Sequence, residues 1–137
     1  LVVNSRHPLA QFDEVATEQL SDWPWVMYPF NAPIRRRMES AFSEFNMRTP
    51  TNTVETISMP TFLQLLQSGP MLAFLPESMV QSQIQIGLLK VLNTPFQVEP
   101  QDYGIITRKD EPLSEAAREF ADILLQFARL RREANGL

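Results

Sequence analysis

The chain has 137 residues, no cysteine, one histidine and a formal net charge of -4 at pH 7, which suits one domain with a real core. Hydrophobic residues at 44% and charged residues at 20% exclude intrinsic disorder, and the lack of cysteine excludes disulfides, thiolate zinc sites and cysteine nucleophiles. The acidic balance (pI ≈ 5.0) lacks the electrostatic footprint of a nucleic-acid-binding surface, and no apolar run approaches the roughly 18 residues of a membrane helix.

Leu1-Val2-Val3 reads as the inside of a β-strand, and the opening residues do not show the basic stretch and apolar core of a signal peptide. Opening on a strand predicts a piece cut from a larger fold. A turn follows at Arg6-His7-Pro8-Leu9, and Thr17 to Asp22 suits one helical turn, which Trp23-Pro24 stops. Trp25 to Tyr28 is a short apolar run, consistent with a buried strand. The loop Pro29-Phe30-Asn31-Ala32-Pro33 then feeds a helix to about Asn46, with Asn31 as its expected cap and Pro33 in its first turn. Ile34, Met38, Phe42 and Phe45 give that helix one apolar stripe.

Asn52 to Ile57 alternates β-branched residues and predicts a strand. Ser58 is placed to cap a second helix that ends at Gly69, with Pro60 in its first turn. Met71 to Leu75 predicts a buried strand closed by Pro76, Glu77 to Gln83 a short helix, and Leu88 to Leu92 another strand. After the stretch Pro95 to Pro100, Tyr103-Gly104-Ile105-Ile106-Thr107 predicts the last strand. Ser114 caps a final helix with Glu115 in its first turn and Arg129, Arg131 and Arg132 in its last turns, which suits the helix dipole. Its apolar face is Phe120, Ile123, Leu124, Phe127 and Leu130. Alternating strands and helices argue for an α/β fold with a largely parallel sheet.

Chemistry has few places to reside. His7 stands before proline with no Gly-x-Ser-x-Gly elbow nearby, and suits a turn or a ligand contact better than catalysis. Four glycines form neither GxGxxG nor GxxxxGK[ST], so dinucleotide and nucleoside-triphosphate motifs are absent. The carboxylates are scattered, without the spacing of a metal site. Arg35-Arg36-Arg37 reads as a solvated face. Two strand-to-helix junctions remain, Tyr28 to Ile34 and Thr56 to Phe62. In open parallel α/β sheets, ligands bind outside the carboxyl ends of strands, where helix N-termini present free N–H groups. Asn31 and Ser58 add polar groups there, and Phe30 and Met59 add apolar surface. From spacing alone, plain helix capping is the favoured explanation of the same residues.

Several segments together resemble LysR-type transcriptional regulators. Leu1 to Ala10 is similar to their strand followed by His-Pro-Leu-Ala, and Leu20 to Val26 to their segment of a leucine, a few residues, a proline and a strand. Val54 to Ser58 resembles their strand leading to a serine-capped helix. Leu65-Leu66-Gln67-Ser68-Gly69-Pro70-Met71-Leu72-Ala73-Phe74-Leu75-Pro76 is similar to their Val-Ala-Ala-Gly-Leu-Gly-Ile-Ala-Leu-Leu-Pro signature, with Met71 where a second glycine is usual. Arg108 to Phe120 resembles their closing segment.

The resemblance implies a type II periplasmic-binding-protein-like effector domain, of which this chain is a Rossmann-like three-layer subdomain with a mostly parallel sheet. Residues 1–6 would be the first crossing strand, 7–101 the second α/β subdomain, 102–108 the second crossing strand, and 109–137 the C-terminal helix belonging to the first subdomain. The intact protein would be a cytoplasmic bacterial regulator and not an enzyme, needing no cofactor. A small-molecule effector, a sugar or an aromatic or other organic acid, would bind between the subdomains. Ser58, Phe30 and Asn31 would contact it, Met59 and Pro60 would shape an apolar wall, and His7 would lie near the crossing point. A homo-oligomer is implied, with DNA bound only through an N-terminal helix-turn-helix outside this chain. The alternative is a solute-binding protein of a transport system.

Overall fold

The computed structural model describes residues 1–98 and 104–134. They fall into two compact units, Leu1–Glu99 and Pro100–Leu137.

The first unit is built on a five-stranded sheet of β1 (Val2–Asn4), β2 (Trp25–Met27), β3 (Thr53–Glu55), β4 (Leu72–Ala73) and β5 (Leu89–Val91), in the order β3-β2-β4-β1-β5. β2 runs parallel to β3 and to β4, with Val26 opposite Val54 and Ala73. β1 runs antiparallel to both its neighbours, with Val2 opposite Ala73 and Val91. The sheet is therefore mixed, and β1 alone is reversed. The β1–β2 link holds a 3-10 turn (Pro8–Gln11) and the short α1 (Thr17–Leu20).

Strand alternation sends side chains to both faces, and each face is covered. Val3, Trp25, Met27 and Leu72 face α2 (Pro33–Glu44) through Met38, Ala41 and Phe42. Val2, Val26 and Ala73 face α3 (Met59–Ser68) and α4 (Glu77–Gln85) through Phe62, Leu66 and Val80. The result is the three-layer α/β architecture expected from the sequence.

The helix ends explain the turns. Asn46 adopts φ 52° after α2. Its N–H bonds to the Ser43 carbonyl and that of Met47 to the Phe42 carbonyl, a Schellman motif that uses asparagine in the left-handed region. Gly87, at φ 74°, ends α4 the same way. Asn4 of β1 donates to the Leu66 and Gln67 carbonyls and so caps the C-terminus of α3.

Two expectations are corrected. Asn31 does not cap α2: a turn closed by Ala32 N–H on the Pro29 carbonyl at 2.9 Å moves the cap to Ala32, which caps without a side chain. Of the strand expected over 103–107, Tyr103 lies outside the described residues and 104–107 form no strand. β-branched residues become a strand only against a partner ladder, and Ile106 is 97% exposed.

The second unit contains α5 (Glu115–Ala134). Ser114 caps it by accepting from Ala117 N–H at 3.3 Å. Phe120, Ile123, Leu124, Phe127 and Leu130 form the expected apolar face, and all are exposed.

Candidate functional site

β2 to β5 share one direction, so their carboxyl ends form a single edge of the sheet. β2 leads into α2 on one face and β4 leads into α4 on the other. The connections diverge between these adjacent strands, which makes their carboxyl ends the switch point where ligands bind in doubly wound folds.

Five of the six residues expected at a site lie along this edge. Phe30 and Asn31 follow β2, and Ser58, Met59 and Pro60 follow the neighbouring β3. Phe30 is 72% exposed and Ile57 is 77% exposed, so the edge carries apolar surface with nothing packed over it. Tyr28 packs its ring 5.0 Å from that of Phe62. Met59 packs against the same core cluster as Phe62.

Polar groups at the edge are partly committed. Ser58 Oγ accepts from Thr61 N–H at 3.4 Å, and Ser58 N–H donates to Thr56 Oγ1 at 3.0 Å. The Ser58 hydroxyl hydrogen stays available, since a hydroxyl accepts and donates at once. Pro33 and Pro60 each remove a first-turn donor. The Ile34 and Met59 N–H groups have no acceptor within their helices, because the first N–H groups of a helix lack one. Each junction thus offers a backbone donor at a positive helix end.

The sequence reading missed a third part of this edge. Phe74, after β4, lines a cavity of about 450 Å³ with Leu1, Leu92, Thr94, Phe96 and Val98. Thr94 is buried, and its Oγ1 accepts from Phe96 N–H at 3.3 Å. The signal in the sequence was Pro76 closing β4, the same strand–proline–helix pattern as at Pro33 and Pro60.

His7 is not brought to this edge. It follows β1, and the reversal of β1 carries it to the opposite edge, beside a cavity of about 510 Å³ lined by Asn4, Arg6, Gln67, Gly69 and Pro70. Its Nδ1 accepts from Leu9 N–H at 3.0 Å and caps the 3-10 turn. The ring is 2% exposed and stands edge-on to Trp23 at 4.5 Å. Burial lowers its pKa below the ordinary 6.5, and the Pro70 carbonyl offsets part of that.

A lowered pKa in the fold means the unfolded chain binds more protons. Stability from neutral His7 is complete above about pH 6.5 and is lost as pH falls through the folded pKa. We expect Tm to drop between about pH 7 and pH 5, and the drop to shrink in His7→Asn. Equal slopes for the two would contradict the assignment.

Arg35 corrects the reading of the basic run as a solvated face. It is 7% exposed, while Arg36 is exposed. Its Nε donates to Glu39 Oε1 at 2.9 Å. Nη1 donates to the Tyr28 carbonyl at 3.0 Å and to Glu55 Oε1 at 2.9 Å. Among the described residues no cluster of three His, Asp or Glu stands close enough to hold a metal ion, and no helix is long and apolar enough to cross a membrane.

The family model of the LysR substrate binding domain matches residues 1–129. YdcI of Escherichia coli (strain K12), an uncharacterized HTH-type transcriptional regulator, is 27% identical over 114 residues, covering 83% of this chain and 37% of its own. The HTH-type regulator GbpR of Rhizobium radiobacter is 32% identical over 81 residues, covering 59% of this chain and 27% of its own. GbpR of Azospirillum brasilense is 28% identical over 120 residues, covering 85% and 34%. The matched part spans little more than a third of these regulators at most. The effector binding domain of QuiR, solved in complex with shikimate, superposes with a TM-score of 0.69 at 21% identity, covering 93% of this chain and 59% of that one. At that identity the superposition carries the fold, which is that of an effector-binding domain of the periplasmic-binding-protein-like type.

Proposed function

The chain belongs to the LysR substrate-binding domain family, and on that basis we propose that its sheet edge at the carboxyl ends of β2, β3 and β4 binds a small-molecule effector for a transcriptional regulator. Domains of this family are generally non-enzymatic, and the matched relatives are regulators rather than transport proteins. The observation that carries the reading is the convergence of two helix N-termini on one edge. Each brings an open backbone donor, Ile34 or Met59, beside exposed apolar surface from Phe30 or Ile57.

Donors at positive helix ends beside apolar surface favour a small organic acid over a neutral sugar. Ser58, Asn31, Phe30, Met59 and Pro60 contact it in this reading, and His7 does not. Residues 7–101 form one subdomain of the effector domain, with α5 belonging to the other. DNA binding and oligomer assembly reside in the whole regulator, a cytoplasmic protein. An effector that prefers one arrangement of the subdomains shifts their populations by its difference in affinity.

Ser58→Asp tests the reading, because aspartate caps a helix as well as serine does. Melting should change by less than about 0.5 kcal/mol, since only a well-tolerated cap has been exchanged. Affinity for a carboxylate effector, with shikimate as the first probe, should fall by about tenfold or more from like-charge repulsion. Unchanged affinity for every carboxylate that binds would remove Ser58 from the site.

A further inference from the structure

We infer that Arg35 is a positioning residue of the effector edge, joining the β2–α2 junction to the β3–α3 junction through one guanidinium. The inference rests on the reading of that edge as the effector site and adds which side chain holds its two arms in register.

The sequence position is unfavourable for a cation. Arg35 lies in the first turn of α2, where the helix dipole repels positive charge. Its neighbour Arg36 avoids the penalty by facing solvent, whereas Arg35 is 7% exposed. A residue that breaks a local rule while buried points to a compensating role.

The geometry supplies that role. Nη1 reaches the Tyr28 carbonyl at 3.0 Å, two residues before Phe30, and Glu55 Oε1 at 2.9 Å, three residues before Ser58. Nε reaches Glu39 Oε1 at 2.9 Å, one turn further along α2. One rigid, planar group thus ties the end of β2, the end of β3 and the helix leaving β2. The short strands provide little alternative: past their ends, Thr56 N–H on the Met27 carbonyl at 3.0 Å continues the pairing. The Nε and Nη1 hydrogens already meet protein acceptors, so they hold the edge rather than clamp a ligand. Lysine, with a compact charge on a flexible stem, cannot make the same fork.

Amide hydrogen exchange of the full 137-residue chain tests this without any effector. In Arg35→Met, exchange of the Thr56 and Ala32 N–H groups should rise by about tenfold relative to those of Trp25 and Leu72, which bond at the opposite edge. Glu55→Ala, at a 42% exposed side chain, should speed Thr56 and leave Ala32 unchanged. Added to Arg35→Met, it should speed Thr56 no further. Arg35→Lys should leave both amides faster than in the parent. Equal acceleration at both edges would mean general destabilisation and would overturn the inference, as would unchanged Thr56 and Ala32. If Arg35→Met does not fold, Glu55→Ala decides alone, and an unaltered Thr56 overturns it. Because no ligand takes part, failure here leaves the effector reading standing, and failure of Ser58→Asp leaves this result standing.

Discussion

Trp25→Ala is expected to unfold the Leu1–Glu99 unit near physiological temperature. Trp25 is fully buried at the start of β2, with ring contacts to Phe42 of α2 at 5.3 Å and to Phe96, beyond β5, at 6.1 Å. Phe42 and Phe96 stack at 5.0 Å, so the indole closes a cluster joining three parts of the chain distant in sequence. Its Nε1–H also donates to the Leu20 carbonyl at 3.1 Å. Truncating such a residue costs about 3–5 kcal/mol through lost burial and the cavity left behind. The loss takes a large share of a domain stability of about 5–15 kcal/mol. A thermal melt should show a fall of more than about 10 °C. Trp23→Ala, at a half-buried ring, should cost clearly less. A similar fall for both variants would contradict the central place given to the Trp25 cluster.

The second large effect concerns α5. Phe120 is 63% exposed, Phe127 70% and Leu130 55%, along a helix with a continuous apolar face. Monomers rarely leave such a stripe in water. The 137-residue chain is expected to self-associate with rising concentration. The double substitution Phe120→Asp, Phe127→Asp should shift it to monomer, read by sedimentation. The melt of the Leu1–Glu99 unit should be unchanged, because its two core clusters lie within residues 1–98. A chain that stays monomeric at high concentration would contradict the expectation that this face requires a cover.

The elements most legible in the sequence were those whose ends are chemically marked. Pro33 and Asn46 bracket α2, Ser58 and Gly69 bracket α3, and Ser114 opens α5. The misses share a cause: each depended on what another element does. Asn31 lost its capping role to a turn made by Pro29 and Ala32. Arg35 resembles its neighbours in the run until Tyr28 and Glu55 are placed beside it by strand pairing. His7 was placed with the other site residues because strand direction, unlike strand position, is not written in a hydrophobic pattern. Once β1 is reversed, His7 belongs to the far edge and the candidate site gains Phe74 in its place.

Amide chemical-shift mapping across a panel of small organic acids beginning with shikimate, in an effector domain that includes this chain, locates the edge of the sheet that holds the effector. A binding acid should move the amides of Tyr28, Phe30 to Ala32, Ile34, Thr56 to Met59 and Thr61, together with Phe74 and Leu75. Amides of Asn4 to His7 and Gln67 to Gly69 should stay still. Shifts gathered at Asn4, His7 and Gly69, with the carboxyl edge silent, would move the effector site to the opposite edge of the sheet and contradict the account.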